Sequence, residues 1–423
     1  MRWVVLLLTV CFMSVTVASS PAQSEGKAEA SLTLGSILPI FVGPETISPP
    51  AVRFDERAVV HVAWSEAKGP IGVVRSVRVE PRTMAVSPAV QVNPDALPPD
   101  AIHQAPGLAV GTDHRVFVSW STANKAPGSL FASDLRVARS EDGGRTFKAP
   151  VKINDDGLPI SHSFEDIVTG HGSDLYVGWL DGRGKDASGA ALLFSCAKNQ
   201  GQTVDANRTV DGMACPCCRP MVSLAPNGDL WVAWRKTFAG NVRDVVVAKS
   251  EDRGQTFSPP MLVHNDNWAF SGCPHRGPSI GFDRFGRMYV GWYTEGTDEE
   301  PQLLMATSDD RGRTFSSPVS LHTSKTSFPD QLRMAVHPDG AVVAVWEEIT
   351  GVRKRTVMRV SMDRGQHFGQ LQPLSRSTHA AHPSVAIHDN GAVALSWTEF
   401  AFPMNQILLQ QGTLALSTIT GQP

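Results

Sequence analysis

Apolar and small residues alternate along seven short stretches that each end in tryptophan: VVHVAW at Trp64, VFVSW at Trp120, LYVGW at Trp179, LWVAW at Trp234, MYVGW at Trp292, VVAVW at Trp346 and VALSW at Trp397. Such alternation is the mark of strands, whose side chains point to opposite faces in turn. Successive tryptophans are 56, 59, 55, 58, 54 and 51 residues apart. An apolar residue lies twelve positions before each of them: Val52, Leu108, Ile167, Val222, Ile280, Met334 and Val385. Turn sequences such as PNGD (226–229), PDGA (338–341) and DNGA (389–392) lie between these positions and the tryptophan strands, as hairpins require. Each unit therefore reads as strand, hairpin, tryptophan strand, third strand, turn and fourth strand. Four-stranded units repeated about an axis make an all-β protein, a β-propeller, here of seven four-stranded blades.

The turn after the third strand has its own signature. It reads SEDGGRTF from Ser140, SEDRGQTF from Ser250, SDDRGRTF from Ser308 and SMDRGQHF from Ser361, with a worn copy, AKNQGQTV, from Ala197. The aspartates, Asp142, Asp252, Asp310 and Asp363, can accept backbone N–H bonds a few residues on, and the glycine supplies a conformation that other residues resist. These aspartates build a turn rather than a catalytic centre. The pattern resembles the Asp-box, or BNR, repeat of the sialidase superfamily, and the resemblance spans nearly the whole chain after its first residues. It implies a propeller scaffold shared by sialidases, other glycosidases and non-enzymatic receptors, so it speaks for fold more than for activity. Sialidases have six blades, which leaves six as the alternative count.

The N-terminus, MRWVVLLLTVCFMSVTVASSPAQ, has a short basic start, an apolar stretch and then small residues. It reads as a signal peptide over residues 1–22, followed by a flexible lead-in over 23–35 and a single propeller domain over 36–423. Export follows, to a periplasm or to the exterior, where disulfides are permitted. The apolar stretch is short for a membrane span. The segment from Ile37 to Ser48 resembles the strands that follow the Asp-boxes and is expected to close the ring against the last blade, with Thr413–Ile419 competing for that place. A net charge of −3 gives no electrostatic case for binding nucleic acid.

Candidate chemistry appears when the units are aligned on their tryptophans. Seventeen residues before the tryptophan stand His103, His162, Cys217 and His275 in four consecutive units. They fall where one blade leads to the next, at the loops bordering a propeller's central channel. Histidine and cysteine bind copper and zinc. These four are the expected ligands of a metal centre at the channel mouth, with His379 or His382 approaching from the last blade and copper preferred to zinc. The plain alternative is that such histidines are solvated or hydrogen-bonded. Cys215 and Cys273 share an offset of nineteen in adjacent units and are the expected disulfide. That pairing leaves Cys217 free.

The resemblance to sialidases implies three arginines clasping a carboxylate, a tyrosine nucleophile assisted by a glutamate, and an aspartate acid/base. The place of the first arginine reads Ser48-Pro49-Pro50-Ala51, and of three tyrosines Tyr176 and Tyr289 lie within tryptophan strands. A sialidase reaction is therefore not expected. Arg219, Arg276 and Arg333 stand near the channel loops of successive units and are candidates for binding an anion or a substrate. Their plain role is to hold loop carbonyls or the carboxylates of Glu165, Asp166 and Asp330. The sequence leaves open a metal-dependent enzyme, a glycoside hydrolase, and a non-catalytic propeller that binds a glycan, another small molecule or a protein.

Overall fold

Each tryptophan strand lies second in an antiparallel sheet, and the described residues form seven such sheets. The structure is a computed structural model, and residues 31–68, 71–99, 104–124, 131–184 and 189–418 are described. The inner strands of blades 1 to 7 are Ala51–Phe54, Gly107–Val110, His162–Thr169, Met221–Leu224, Ser279–Phe282, Phe328–Val336 and Ala380–Ile387. They neighbour one another in a closed cycle, with the strand of blade 7 against that of blade 1. The chain is thus a seven-bladed β-propeller, and the count of six is set aside.

The ring closes through blade 7. Its inner three strands, Ala380–Ile387, Ala392–Ala401 and Met404–Leu414, come from the end of the chain, and its outermost strand is Leu32–Gly43. Leu32 pairs with Leu414 and Gly43 with Asn405. The closing strand therefore begins before Ile37 and takes in positions 32–35, assigned from sequence to the lead-in. The competing segment is split: Thr413 and Leu414 end the third strand, and Leu416–Thr418 form a single helical turn.

The core is an annulus of seven apolar layers, one at each interface between blades. The seven tryptophans explain why the repeat is so regular. Each points from its own blade toward the preceding one: Trp346 packs beside Tyr289 and Met305 of blade 5, and Trp64 beside Ile407 and Leu409 of blade 7. None is more than 2% exposed. Most indole N–H groups find an acceptor at the blade edge, as Trp179 does on Asp181 (2.9 Å) and Trp397 on Glu399 (2.8 Å). Burying a large ring while satisfying its one donor is what makes tryptophan suitable here.

The Asp-boxes join third to outermost strands, on the rim. In the Ser308 copy the serine hydroxyl donates to Asp310 Oδ1 (2.9 Å) and accepts from the buried Gly312 N–H (2.9 Å). The Thr314 hydroxyl and N–H both donate to the carboxylate, at 2.6 and 2.9 Å. Gly312 has φ +74° and the preceding Arg311 +61°, so two consecutive left-handed residues make the turn. The Thr314 donors hold Asp310 well below the usual carboxylate range, at about 2. A depressed acid contributes its stabilisation above the unfolded value, roughly 3.9, and loses it as pH falls through the folded one. The copies at Ser140 and Ser250 share this geometry, with Asp142 and Asp252 also held at about 2, while in the copy at Ser361 His367 takes the place of the threonine.

Removing the hydroxyl in Ser308→Ala leaves the buried Gly312 N–H unpaired. Urea unfolding is expected to show a loss of about 1–3 kcal/mol for this variant. An unchanged midpoint would mean that the hydroxyl does not carry the turn.

Candidate metal centre at the channel mouth

Two cavities lie along the axis, and every blade contributes to each. The larger, about 490 Å³, is lined by the inner strands themselves. The smaller, about 270 Å³, is lined by residues of the entry loops, including Pro49, Gln104, Cys217 and His275, and by Phe164, Gln331 and His382 near the starts of three inner strands. Arg219 and Arg333 line both and so stand at the neck between them.

Bulges aim several of these side chains. The ladders of blades 3, 6 and 7 slip between Ser163 and Asp166, Asp330 and Arg333, and Ala381 and Ser384. Inside each slip one residue is left-handed: Phe164 (φ +57°), Gln331 (+52°) and His382 (+55°). All three stand fifteen residues before their tryptophan, and all three line the smaller cavity. A bulge re-aims a side chain in this way. Aligning the units on tryptophan makes this shared offset visible in the sequence, where only His382 stood out as a candidate.

The loop Cys215-Pro216-Cys217-Cys218 enters blade 4. It is anchored by the Cys215 N–H, which donates to the Arg235 carbonyl (2.8 Å). The three sulfurs lie within 4.8 Å of one another, with Cys215 Sγ 3.0 Å from Cys218 and 4.0 Å from Cys217. All three residues are buried. Cys217 also belongs to a second group, with Cys273 and His275 of the loop entering blade 5, again within 4.8 Å. Those two residues are exposed, and His275 is left-handed at φ +56°. Hydrogen bonding with the sulfurs of Cys217 and Cys218, with Arg243 nearby, draws the Cys215 pKa well below the ordinary thiol range. Cys217 is pushed up by its two sulfur neighbours, and Cys218 chiefly by burial.

Of the residues expected at the metal, Cys217 and His275 come together and His382 faces the same cavity. His103 lies outside the described residues. His162 goes elsewhere. Fully buried, it donates Nδ1–H to the Ser133 carbonyl (2.5 Å) and turns Nε2 toward Asp156 (3.1 Å) and Asp181 (3.5 Å). Arg183 already ion-pairs with both of those carboxylates. His379 is exposed and lines neither cavity. The expected Cys215–Cys273 disulfide is not formed: all five described cysteines are free, and the two sulfurs belong to different donor groups.

The arginines also divide. Arg219 donates to the Ala105 carbonyl (2.6 Å), and Arg333 to the Leu332 carbonyl (2.9 Å). Arg276 leaves the channel: it donates to Asp330 (3.0 Å) and stacks over Tyr293, with the guanidinium carbon 4.1 Å from the ring centre. Its place is taken by Arg53, from the first inner strand, which sequence reasoning sought a few positions earlier. Burial, then the charges of Arg219 and Arg53 against that of Asp166, bring Arg333 down to about 10. Three guanidinium groups from blades 1, 4 and 6 thus crowd one stretch of the channel. No tyrosine lines either cavity among the described residues. Tyr293 bonds Glu295 but is walled in by Trp268 and Phe328.

No protein-family model and no curated protein matches the chain. Solved structures do. A protein of unknown function from Dyadobacter fermentans matches with TM-score 0.54 and 13% identity over 91% of this chain and 100% of its own. A polysaccharide lyase described as an ulvan lyase, bound to -[GlcA(1-4)Rha3S]-, matches with TM-score 0.57 and 11% identity over 93% and 98%. The sialidase Hz136 also matches, at TM-score 0.49 and 13% identity over 85% and 78%. The chain is therefore similar in fold to the Dyadobacter protein and to the polysaccharide lyase. At these identities the likeness is one of architecture.

Glu165, beside the channel wall, accepts from the buried Ser119 hydroxyl (2.9 Å), and burial raises its pKa. A raised acid favours the folded state below its unfolded value, roughly 4.3, and that advantage is lost as pH rises through the folded value. Glu165→Gln is therefore expected to flatten the fall in melting temperature between mildly acidic and neutral pH. A profile unchanged from the parent protein would remove Glu165 as its source.

Proposed function

We propose that the protein is an exported propeller that binds a soft transition-metal ion, copper ahead of zinc, in a cysteine–histidine centre where the blade-4 and blade-5 loops meet the channel. One observation carries this reading: Cys215, Cys217, Cys218, Cys273 and His275 converge, four of the five being sulfurs. Soft sulfur donors select copper(I) and zinc, while imidazole suits both. The other described cysteine, Cys196, sits in an apolar layer away from this cluster, as an ordinary buried cysteine does. Export rests on the N-terminal signal pattern. Among the described residues no helix is long and apolar enough to cross a membrane.

The test is elemental analysis of untagged protein from its exported compartment, with a free-thiol count on the same sample. Near-stoichiometric copper or zinc, lost in Cys217→Ser, is expected. Protein that stays metal-free after reconstitution, with Cys217 locked in a disulfide, would overturn the reading.

A second reading has its own observation, the convergence of Arg53, Arg219 and Arg333. We infer that the wider cavity accepts an anionic small molecule, such as a carboxylate or a sulfated sugar, which guanidinium groups bind in bidentate fashion. Among the described residues no tyrosine lines the channel, which argues against a sialidase reaction. Calorimetric titration with sulfate at low ionic strength is expected to give binding that Arg333→Met abolishes. Equal binding by that variant would dismiss the site.

A further inference from the structure

The two three-donor groups are not separate: they meet at Cys217. We propose that the centre holds two copper(I) ions bridged by the Cys217 thiolate, an inner ion on Cys215, Cys217 and Cys218 and an outer ion on Cys217, Cys273 and His275. This deepens the metal-binding reading above and rests on it.

Donor number argues first. Five side chains supply two sets of three only because one sulfur is shared. Zinc in structural sites takes four donors in a tetrahedron, so two zinc ions would be starved here. Soft sulfur and imidazole donors suit copper(I), and a thiolate has lone pairs enough to bridge two such ions.

Charge argues independently. Arg235 and Arg243 are 1% and 6% exposed. The Arg235 guanidinium donates to the carbonyls of Arg276 (3.1 Å), Arg243 (2.6 Å) and Tyr293 (2.6 Å). The Arg243 guanidinium donates to the Asn241 side-chain oxygen (3.2 and 3.1 Å) and, through Nη1, to Cys215 Sγ (3.2 Å). Neither forms a salt bridge with a carboxylate among the described groups; Arg235 interacts with the buried Asp244 only at a distance, and Arg243 faces the Cys215 sulfur, so thiolates of the cluster are the charges that can pair with these buried cations. Four thiolates and two copper(I) ions carry a net charge of −2, and the two guanidinium groups cancel it. Two zinc ions would leave the same pocket at +2.

Loading moves protons and no electrons. Each cysteine of the four that is still protonated loses its S–H proton to solvent as its sulfur takes up the metal, and copper stays in the +1 state throughout.

The two ions would differ in access. The inner ion is enclosed by residues at most 4% exposed, whereas Cys273 and His275 are exposed at the surface. The outer ion is the exchangeable one, and the inner ion fixes Cys217 for it.

The experiment loads reduced, full-length protein with copper(I) under anaerobic conditions and challenges it with a copper(I) chelator such as bathocuproine disulfonate. Two ions per chain are expected, released in two phases, with a copper–copper shell in X-ray absorption. The double variant Cys273→Ser, His275→Ala is expected to keep one ion and only the slow phase. It changes exposed loop positions, so its circular dichroism and melting temperature should match those of the parent. One ion per chain, lost in Cys217→Ser, would overturn the bridged pair and leave the metal-binding reading standing. No ion at all would overturn both. Two ions retained in the double variant would overturn the outer site. A Cys215–Cys218 disulfide that persists under the reducing load would overturn the inner one.

Discussion

Ring closure is the condition on which the molecule rests. Seven twisted sheets can surround an axis only if the first and last are joined, and an unjoined ring would offer two open edges. The chain meets this with one strand, Leu32–Gly43, completing a sheet whose other three strands come from its end. The bond between Gln410 and the Gly35 carbonyl links positions 375 residues apart. Once the ring is shut, the inner strands are held as a cycle and the loops that enter them are forced toward the axis. The channel, its arginines and its cysteines are consequences of that constraint. Local sequence alone would scatter them along a chain of 423 residues.

The scaffold was legible because its signals repeat and are local. A tryptophan that must reach the preceding blade recurs wherever there is a blade, and an Asp-box recurs wherever a third strand turns to a fourth. The candidate site was legible only in part. Counting back seventeen residues from tryptophan assumes that equal offsets mean equal directions. In blades 4 and 5 that position falls in the entry loop, and Cys217 and His275 reach the channel. In blade 3 it falls beyond a bulge, within the strand, and His162 turns into the blade instead. One inserted residue reverses the face of everything before it, and nothing in the composition of SHSFED announces the insertion.

The cysteines teach a related lesson. Cys215 and Cys273 share an offset of nineteen, yet the compact Cys-Pro-Cys-Cys turn folds Cys215 back onto Cys218 and sends Cys217 outward to meet Cys273. Equivalence along the repeat was weaker than the geometry of a four-residue loop. Arg53 makes the same point from the other side. It was sought before the first inner strand and stands within it, where a charged residue on an otherwise apolar strand was the available clue.

The closing strand also separates two histories within one chain. Every donor of the cysteine–histidine cluster lies between positions 215 and 275 and comes from adjacent entry loops, whereas the seal needs residues from both ends. Long-range closure is entropically slow, while neighbouring blades assemble from nearby sequence. The cluster can therefore come together on an arc of blades while the ring is still open and its axis wide. A circular permutant that moves the seam to another blade would change when the ring shuts without moving a single donor.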